Sequence, residues 1–195
     1  LPAARVSHAY VQLNGRDLGL YVTVEAMNKD FLRQHFKSPK GNLYEAYLHD
    51  IDNSMDQDNG EDTQQTDRKA LLEATKITDP AQRLEALRKI FDVDRFISHL
   101  VLEMFTSHTD GYALNRNNYR MYNDPVTGKF VFITHGIDWA FGNTGVSIWP
   151  PMNSILVKAV LQTPEGRKTY QERVGQLYTN VFKLDVLNKR LDEAV

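Results

Sequence analysis

The chain contains no cysteine, which excludes disulfide bonds, thiolate metal sites and a cysteine nucleophile. It also lacks an excess of either charge, with 23 Lys and Arg residues against 25 Asp and Glu residues. This balance gives no electrostatic reason to expect a nucleic acid or an anionic membrane surface as partner. The longest apolar run, at residues 97–105, is interrupted by His99 and Glu103 and is far shorter than the roughly 20 residues that span a bilayer. We therefore expect no nucleic-acid partner and no membrane span.

A hydrophobic content of 42% over 195 residues is enough for one domain with a buried core. The first residue is Leu1 rather than Met, and a strand pattern follows almost at once with no signal peptide before it. We therefore expect the sequence to be a piece of a longer protein.

Turn residues and periodicity predict a mixed α+β chain. Alternating residues around Asn14-Gly15 predict a β-hairpin at residues 7–25. A second hairpin is predicted from strands at residues 118–122 and 129–134, with turn chemistry between them. An extended segment is predicted at residues 42–45. Helical spacing and capping residues predict helices at residues 27–36, 69–75, from the N-cap Asp79, 92–107, 154–161, 163–182 and from 185 to the end.

Residues 49–67 are rich in Asp, Asn, Gln and Gly and have almost no apolar anchor. Such a composition does not offset the entropy of ordering a chain, so we expect a mobile acidic loop. Asp56, Asp58 and Gly60 resemble part of a calcium loop, but the required Gly and closing Glu are missing from the twelve-residue frame. A solvated loop is therefore favoured over a calcium site.

Three polar residues stand beside the second hairpin and are candidates for chemistry. Asp110 and Asn115 follow the apolar helix, and Asp138 follows the second strand. Because a hairpin returns the chain near its start, Asp138 is expected beside Asn115. Hard cations such as Mg²⁺ take carboxylate and amide oxygens, and a second carboxylate can orient a hydroxyl for phosphoryl transfer.

The spacing of these residues favours the same chemistry. Protein kinases have His-Arg-Asp, four residues and Asn, and here His108-Thr109-Asp110 is followed by four residues and Asn115. Asp138 opens Asp-Trp-Ala-Phe-Gly, which is Asp-Phe-Gly with two residues inserted. Each residue alone is better explained as a turn, cap or local hydrogen-bonding residue, whereas the ordered set favours a kinase-type site. His108 is interpreted as a structural hydrogen-bonding residue rather than a proton carrier, and His135 as a strand-end residue.

These motifs closely resemble the CotH family of spore-coat proteins. The blocks that carry the resemblance are His108-Thr109-Asp110-Gly111-Tyr112, Asn117-Asn118-Tyr119, Gly128-Lys129-Phe130, Gly136-Ile137-Asp138-Trp139-Ala140-Phe141-Gly142 and, upstream, Gly19-Leu20-Tyr21 and Gly41-Asn42-Leu43-Tyr44. The resemblance covers about residues 5–180. It implies an atypical protein-kinase-like fold, in which residues 1–26 are the last small-lobe strands and the hinge, and residues 27–195 are the large lobe.

The resemblance also implies an activity, a site and a location. Members use ATP and Mg²⁺ to phosphorylate Ser in spore-coat proteins, which predicts a secreted bacterial protein at the spore coat or cell surface. By this resemblance Asp110 is the catalytic residue, and Asn115 and Asp138 hold the metal. The backbone near Glu25 and Met27 is expected to face the adenine.

Two departures from the family pattern affect these expectations. Many relatives have Lys where this chain has Glu45, which reverses the charge. The phosphate-binding strands of a kinase are expected upstream of Leu1, so this piece alone should bind nucleotide weakly and transfer little phosphate.

Three functions therefore remain open from the sequence. The first is an ATP- and Mg²⁺-dependent Ser/Thr protein kinase. The second is a surface or spore-associated binding module that keeps the fold without catalysis. The third is a hydrolase in which Asp110 and Asp138 act as an acid/base pair, as in glycoside cleavage.

Overall fold

The computed structural model describes residues 1–143 and 145–194 of the chain. The mixed α+β class predicted from the sequence is confirmed. The strands are β1 (Val6–Leu13), β2 (Arg16–Val24), β3 (Leu43–Ala46), β4 (Asp56–Asn59), β5 (Tyr119–Asp124) and β6 (Lys129–Thr134). The helices are α1 (Lys29–His35), α2 (Thr66–Thr75), α3 (Pro80–Ile90), α4 (Val93–Phe105), α5 (Tyr112–Asn115), α6 (Ile155–Leu161), α7 (Pro164–Asn180) and α8 (Leu184–Ala194), with a short 3₁₀ helix at Ile137–Trp139.

Strands β1 and β2 form a separate antiparallel hairpin, as predicted. Its turn residues Asn14 and Gly15 both have positive φ, 51° and 79°, which is the backbone that a tight hairpin turn requires. At the open end, the guanidinium of Arg5 lies 2.7 Å from the carboxylate of Glu25. The backbone N–H of Glu25 also donates to the carbonyl of Arg5 at 2.9 Å. These contacts close the end of the hairpin that leads into α1.

The other four strands form an antiparallel sheet in the order β4-β3-β5-β6. Successive side chains of a strand point to opposite faces, and both faces of this sheet are covered. On one face, Phe31 and Leu32 of α1 pack in a small cluster completed by Leu43, Tyr122 and Ile133. On the other face lies the main core, to which helices α2, α3, α4, α6 and α7 contribute. Residues 130–133 of β6 accordingly form a continuous buried apolar run.

Phe132 of β6 lies at the centre of the main core and is 1% exposed. Its ring lies within 6 Å of the ring centroids of Phe91, Phe96, His99, Tyr112 and Tyr119. The ring of Tyr119 is stacked on it at 5.4 Å with an interplanar angle of 7°. This aromatic cluster joins α4 to both strands of the second hairpin.

The capping residues place the long helices as predicted. Asp79 accepts a hydrogen bond from the N–H of Gln82 at 2.8 Å, and Pro80 occupies the first helical position of α3. Asp92 caps α4 through the N–H of Arg95 at 3.1 Å. Helix α5, the 3₁₀ helix and β4 were not predicted, because each is too short to produce a periodic pattern. The described part of the chain has no helix that is both long and apolar enough to cross a membrane.

Residues 49–67 have more structure than their acidic composition predicts. Strand β4 pairs with β3 in this segment, and Ile51 and Met55 are buried in the main core. Asp50 is 6% exposed and accepts a hydrogen bond from the N–H of Ile155 at 2.7 Å. Two apolar side chains and one buried carboxylate at the right positions therefore anchor a segment whose average composition is polar. The division of the chain into 1–26 and 27–195 stays a prediction.

Phe132→Ala is expected to lower the free energy of unfolding by about 3–5 kcal/mol, because it removes the ring that the other aromatic side chains surround. Urea unfolding followed by circular dichroism measures the change. Val126→Ala, at an exposed position in the turn between β5 and β6, is the control. Equal unfolding midpoints for the two variants would contradict the central role of Phe132.

Candidate functional site

The carboxylate of Asp110 accepts hydrogen bonds from three Asn side chains. The amide of Asn115 donates to Oδ1 at 2.6 Å. The amides of Asn117 and Asn118 donate to Oδ2 at 3.0 Å and 2.7 Å. Asn117 is itself oriented by the N–H of Leu48, which donates to its amide oxygen at 3.2 Å. The carboxylate is therefore fixed in one orientation by neutral donors.

The backbone around Asp110 bends sharply between α4 and β5. Ser107, Arg116 and Asn118 have positive φ values of 51°, 54° and 48°, which non-glycine residues seldom adopt. Helix α5 is a single turn between two of these residues. Left-handed residues at such a density are typical of functional loops, where the surrounding structure holds a strained backbone. The bends are what allow the amides of Asn115 and Asn118 to approach the same carboxylate.

The segment after β6 packs directly on this loop. Gly136 has a φ of 54°, and a Cβ atom at this position would lie 2.4 Å from the amide oxygen of Asn118. Only glycine fits there without displacing that side chain. Asp138 follows two residues later, on the 3₁₀ helix, and its side chain is exposed. Asp110 and Asn115 are thus in direct contact, and Gly136 brings the segment that carries Asp138 against the same cluster.

His108 is a buried residue of the loop that carries Asp110. It is 1% exposed, and neither of its ring nitrogens has a hydrogen-bond partner among residues 1–143 and 145–194. Burial lowers the pKa of His108, while the negative charges of Glu103, Asp110 and Asp138 oppose this shift. A neutral imidazole is therefore favoured. The sequence predicts a structural hydrogen-bonding residue at this position. Burial of His108 fits a structural role, whereas the predicted hydrogen bonds of its ring are not found within the described residues.

A cleft with a cavity volume of about 530 Å³ separates the β1–β2 hairpin from the end of β6. Val6, Val22, Val24 and Met27 line it on the hairpin side, and His135, Ile137 and Asp138 line it on the other side. It is bordered by apolar side chains on the hairpin side and has a carboxylate at the edge next to the Asp110 cluster. A smaller cavity of about 230 Å³, beside Arg88 and Lys129, is lined by none of the candidate residues.

Glu25 and Met27, the predicted adenine-facing residues, lie in different environments. Met27 lines the cleft. The carboxylate of Glu25 instead binds Arg5 and accepts a hydrogen bond from Gln34 at 3.1 Å. The hydrogen bond from Arg5 lowers the pKa of Glu25 to about 2. The side chain of Glu25 therefore closes the hairpin, and a contact of its backbone with a nucleotide stays a prediction.

The donor set of the candidate site suits a hard cation. Asn115 donates to Asp110 through its amide nitrogen, so its amide oxygen is the atom available to a cation. Asp138 adds an exposed carboxylate. In the described ranges, no group of three or more His, Cys, Asp or Glu side chains is arranged to hold a metal ion. Mg²⁺ does not require such a group, because phosphate oxygens and water usually complete its shell.

Glu45 is neutralised by its neighbours. Its carboxylate pairs with Arg120 on the adjacent strand β5, and Arg120 also pairs with Asp58 of β4. The Nε2 atom of His135 lies 3.3 Å from Glu45. Burial, followed by the charge of Arg120, lowers the pKa of His135. The negative charge of Glu45 is therefore compensated within the sheet.

Tyr112 connects the candidate site to the core. Its hydroxyl donates to Asp50 at 2.8 Å and accepts from the N–H of Leu156 at 3.1 Å. Its N–H donates to Glu103 at 2.8 Å, and its carbonyl accepts from Ser154 at 2.7 Å. Glu103 was visible in the sequence as a charge inside an apolar helix, whereas nothing in the sequence pairs Asp50 with Tyr112.

Comparison with known proteins decides the family. A family model described as CotH kinase protein matches residues 1–195. The chain belongs to the CotH family. The resemblance inferred from the motifs around Asp110 and Asp138 is thereby confirmed.

Named relatives of this CotH chain come from a bacterium and a fungus. The inner spore coat protein H of Bacillus subtilis is 22% identical over 210 residues, which cover 96% of this chain and 57% of that protein. Invasin CotH3 and invasin CotH2 of Rhizopus delemar are 29% and 32% identical over 108 residues. Those matches cover 55% of this chain and 18% of each invasin. The CotH chain therefore spans less than two thirds of each of these relatives.

Stability of this CotH chain is expected to fall as the pH drops below about 6.5, in part because of His108. Burial lowers its pKa in the folded state, so the unfolded chain, with an ordinary value of 6.5, takes up the proton first. The contribution of neutral His108 to the free energy of unfolding is complete above pH 6.5. It is lost as the pH falls toward the folded-state pKa of His108, at up to about 1.4 kcal/mol per pH unit.

His108→Gln should flatten this part of the profile, measured by urea unfolding at several pH values. The matched control is His8→Gln, because His8 is exposed on the hairpin. Identical slopes for the wild type and His108→Gln would show that the protonation of His108 is not coupled to folding.

Proposed function

We propose that this CotH chain is part of a kinase-like domain that transfers phosphate from ATP, with Mg²⁺, to a Ser or Thr hydroxyl of another protein. The observation that carries the proposal is the Asp110 carboxylate, held by three Asn amides beside a cleft that ends at Asp138. A carboxylate of fixed orientation, with a second, exposed carboxylate on a segment that packs on the same loop, suits hydroxyl activation and phosphate binding.

In the proposed reaction, Asp110 orients the acceptor hydroxyl toward the γ-phosphorus of ATP. A bond forms between the hydroxyl oxygen and that phosphorus as the bond from phosphorus to the β,γ-bridging oxygen breaks, and ADP leaves. The hydroxyl proton passes to the Asp110 carboxylate. The hydrogen bonds from Asn115, Asn117 and Asn118 hold the carboxylate still, so that no reorientation is needed when the acceptor arrives.

Asn115 and Asp138 are the residues that we propose hold the metal. Their oxygens are the hard donors that Mg²⁺ prefers, and they lie on segments that Gly136 and Asn118 pack together. When bound, Mg²⁺ neutralises negative charge on the phosphate oxygens. In this proposal the residues keep separate roles, with Asp110 binding the acceptor and Asp138 facing the nucleotide.

The cleft is the proposed adenine site, with residues 1–26 as the end of a small lobe and residues 27–195 as the large lobe. Its lining of Val6, Val22, Val24 and Met27 suits a flat apolar ring. The phosphates would then point toward Asp138 at the other side of the cleft.

The relatives support a location and an acceptor class. One is named a spore coat protein and two are named invasins. We propose that the acceptor is a protein of a spore coat or cell surface. The same names favour the second candidate function, a kinase-like surface module that binds a partner without transferring phosphate.

Radiolabel from γ-labelled ATP is expected to enter protein when the full-length protein is incubated with Mg²⁺. Asp110→Ala and Asp138→Ala should each reduce this transfer by at least about a hundredfold, because each removes a carboxylate with a distinct role. Asp94→Ala is a control for the loss of a carboxylate, since Asp94 lies on α4 and pairs with Arg173 instead. Transfer that survives both site variants would rule out the proposed mechanism.

Nucleotide binding separates the remaining functions. ATP with Mg²⁺ at about 100 times its Kd is expected to stabilise the full-length protein by about 2.7 kcal/mol, read as a rise in Tm. A rise without phosphate transfer would favour a non-catalytic module that has kept nucleotide binding. Sugar release without any effect of ATP would instead favour the hydrolase in which Asp110 and Asp138 act as a pair.

A further inference from the structure

Glu103 is a buried carboxylate in the middle of an apolar helix, and the functions proposed above do not use it. It lies in α4 and is 3% exposed. Its two oxygens accept hydrogen bonds from consecutive backbone N–H groups, Tyr112 at 2.8 Å and Ala113 at 3.0 Å. These are the first two residues of α5. The carboxylate therefore binds the start of the one-turn helix that ends at Asn115.

A buried histidine lies beside the carboxylate of Glu103. The Nε2 atom of His99, one helical turn earlier, lies 3.2 Å from a carboxylate oxygen, and both side chains are almost fully buried. Burial raises the pKa of Glu103. The interaction with His99 and the hydrogen bonds that Glu103 accepts from Tyr112 and Ala113 outweigh burial, so the pKa of Glu103 is lowered overall. Glu103 is therefore ionised in the folded state and accepts hydrogen bonds with both oxygens.

The sequence next to Asp110 leaves room for this carboxylate. A Cβ atom at Gly111 would lie 2.3 Å from a carboxylate oxygen of Glu103 and 2.6 Å from the ring of His108. The φ of Gly111 is −85°, which any residue can adopt, so space rather than backbone conformation requires glycine here. The N–H of His108 also donates to the carbonyl of Glu103 at 2.9 Å. The loop is thus bound to Glu103 on both sides of Asp110.

We propose that Glu103 is a positioning residue for phosphoryl transfer, which holds Asp110 and Asn115 in register by binding the loop between them. This inference rests on the proposed kinase function. The side chain of Glu103 is buried and its oxygens bind the backbone of Tyr112 and Ala113, so in this proposal it acts through that backbone. Its loss should therefore impair the orientation of Asp110 more than the binding of nucleotide in the cleft.

The first test measures the contact itself. Amide hydrogen exchange of Tyr112 and Ala113 is followed by NMR in the wild type and in Glu103→Gln, which keeps the size of the side chain but only one acceptor oxygen. We expect faster exchange at these two amides, with little change at the amides of β5 and β6. Unchanged exchange at both amides would overturn the proposal, whether or not the protein is a kinase.

The second test measures catalysis in the full-length protein. Glu103→Gln is expected to lower kcat by roughly tenfold to a hundredfold, as small displacements of catalytic groups do, while KM for ATP stays within about twofold. Gly111→Ala should give the same pattern with Glu103 present, because its methyl group occupies the space of the carboxylate. If Glu103→Gln does not fold, the kcat and KM of Gly111→Ala decide whether the contact with Glu103 positions the loop.

The control is Leu87→Ala, which removes a fully buried side chain from α3. The comparison is made at temperatures equally far below each variant's Tm. A loss of kcat in Leu87→Ala equal to that in Glu103→Gln would show that Glu103 acts through stability alone and would overturn the proposal, as would unchanged kcat in Glu103→Gln. If the wild type shows no Asp110-dependent transfer, the proposed function fails, and the exchange experiment still decides whether Glu103 holds the loop.

Discussion

Most buried polar groups in a protein are hydrogen-bonded, and around Tyr112 this constraint is met in a way that fixes much of the chain. Its hydroxyl, N–H and carbonyl bind residues from three distant segments, namely Asp50, Glu103 and the start of α6 at Ser154 and Leu156. Removing any one partner leaves a buried polar group unsatisfied, which is expensive in free energy. The acidic segment, the apolar helix and the C-terminal helices therefore converge on the residue that follows Asp110-Gly111.

The candidate site is built outward from this anchor. Glu103 holds the start of α5, the loop bends at Ser107 and Arg116, and the Asn side chains reach Asp110. Gly136 then brings the end of β6 against Asn118, so that Asp138 lies where the cleft opens. Rigid strands and a buried helix thus position polar groups that lie on loops, which is the usual division between scaffold and function.

The sequence predicted those parts of the fold that leave a repeating or local signal. Both hairpins and the caps Asp79 and Asp92 follow from turn and capping chemistry. The order of Asp110, Asn115 and Asp138 was readable as well, although their chemical roles were inferred by resemblance. Strand β4 and the buried Asp50 were missed, because their anchors are contacts between residues far apart in the chain. The average composition of a segment does not reveal that one of its side chains contacts a residue far away in the chain.

The amides that surround Asp110 affect how the orientation of its carboxylate depends on pH. Asn115, Asn117 and Asn118 neither gain nor lose protons between acidic and alkaline conditions. A carboxylate oriented by a His side chain would lose a charged donor as the pH rose through the pKa of the imidazole. The three amides remain the same neutral donors, so the orientation of the Asp110 carboxylate does not depend on the protonation of its hydrogen-bond donors.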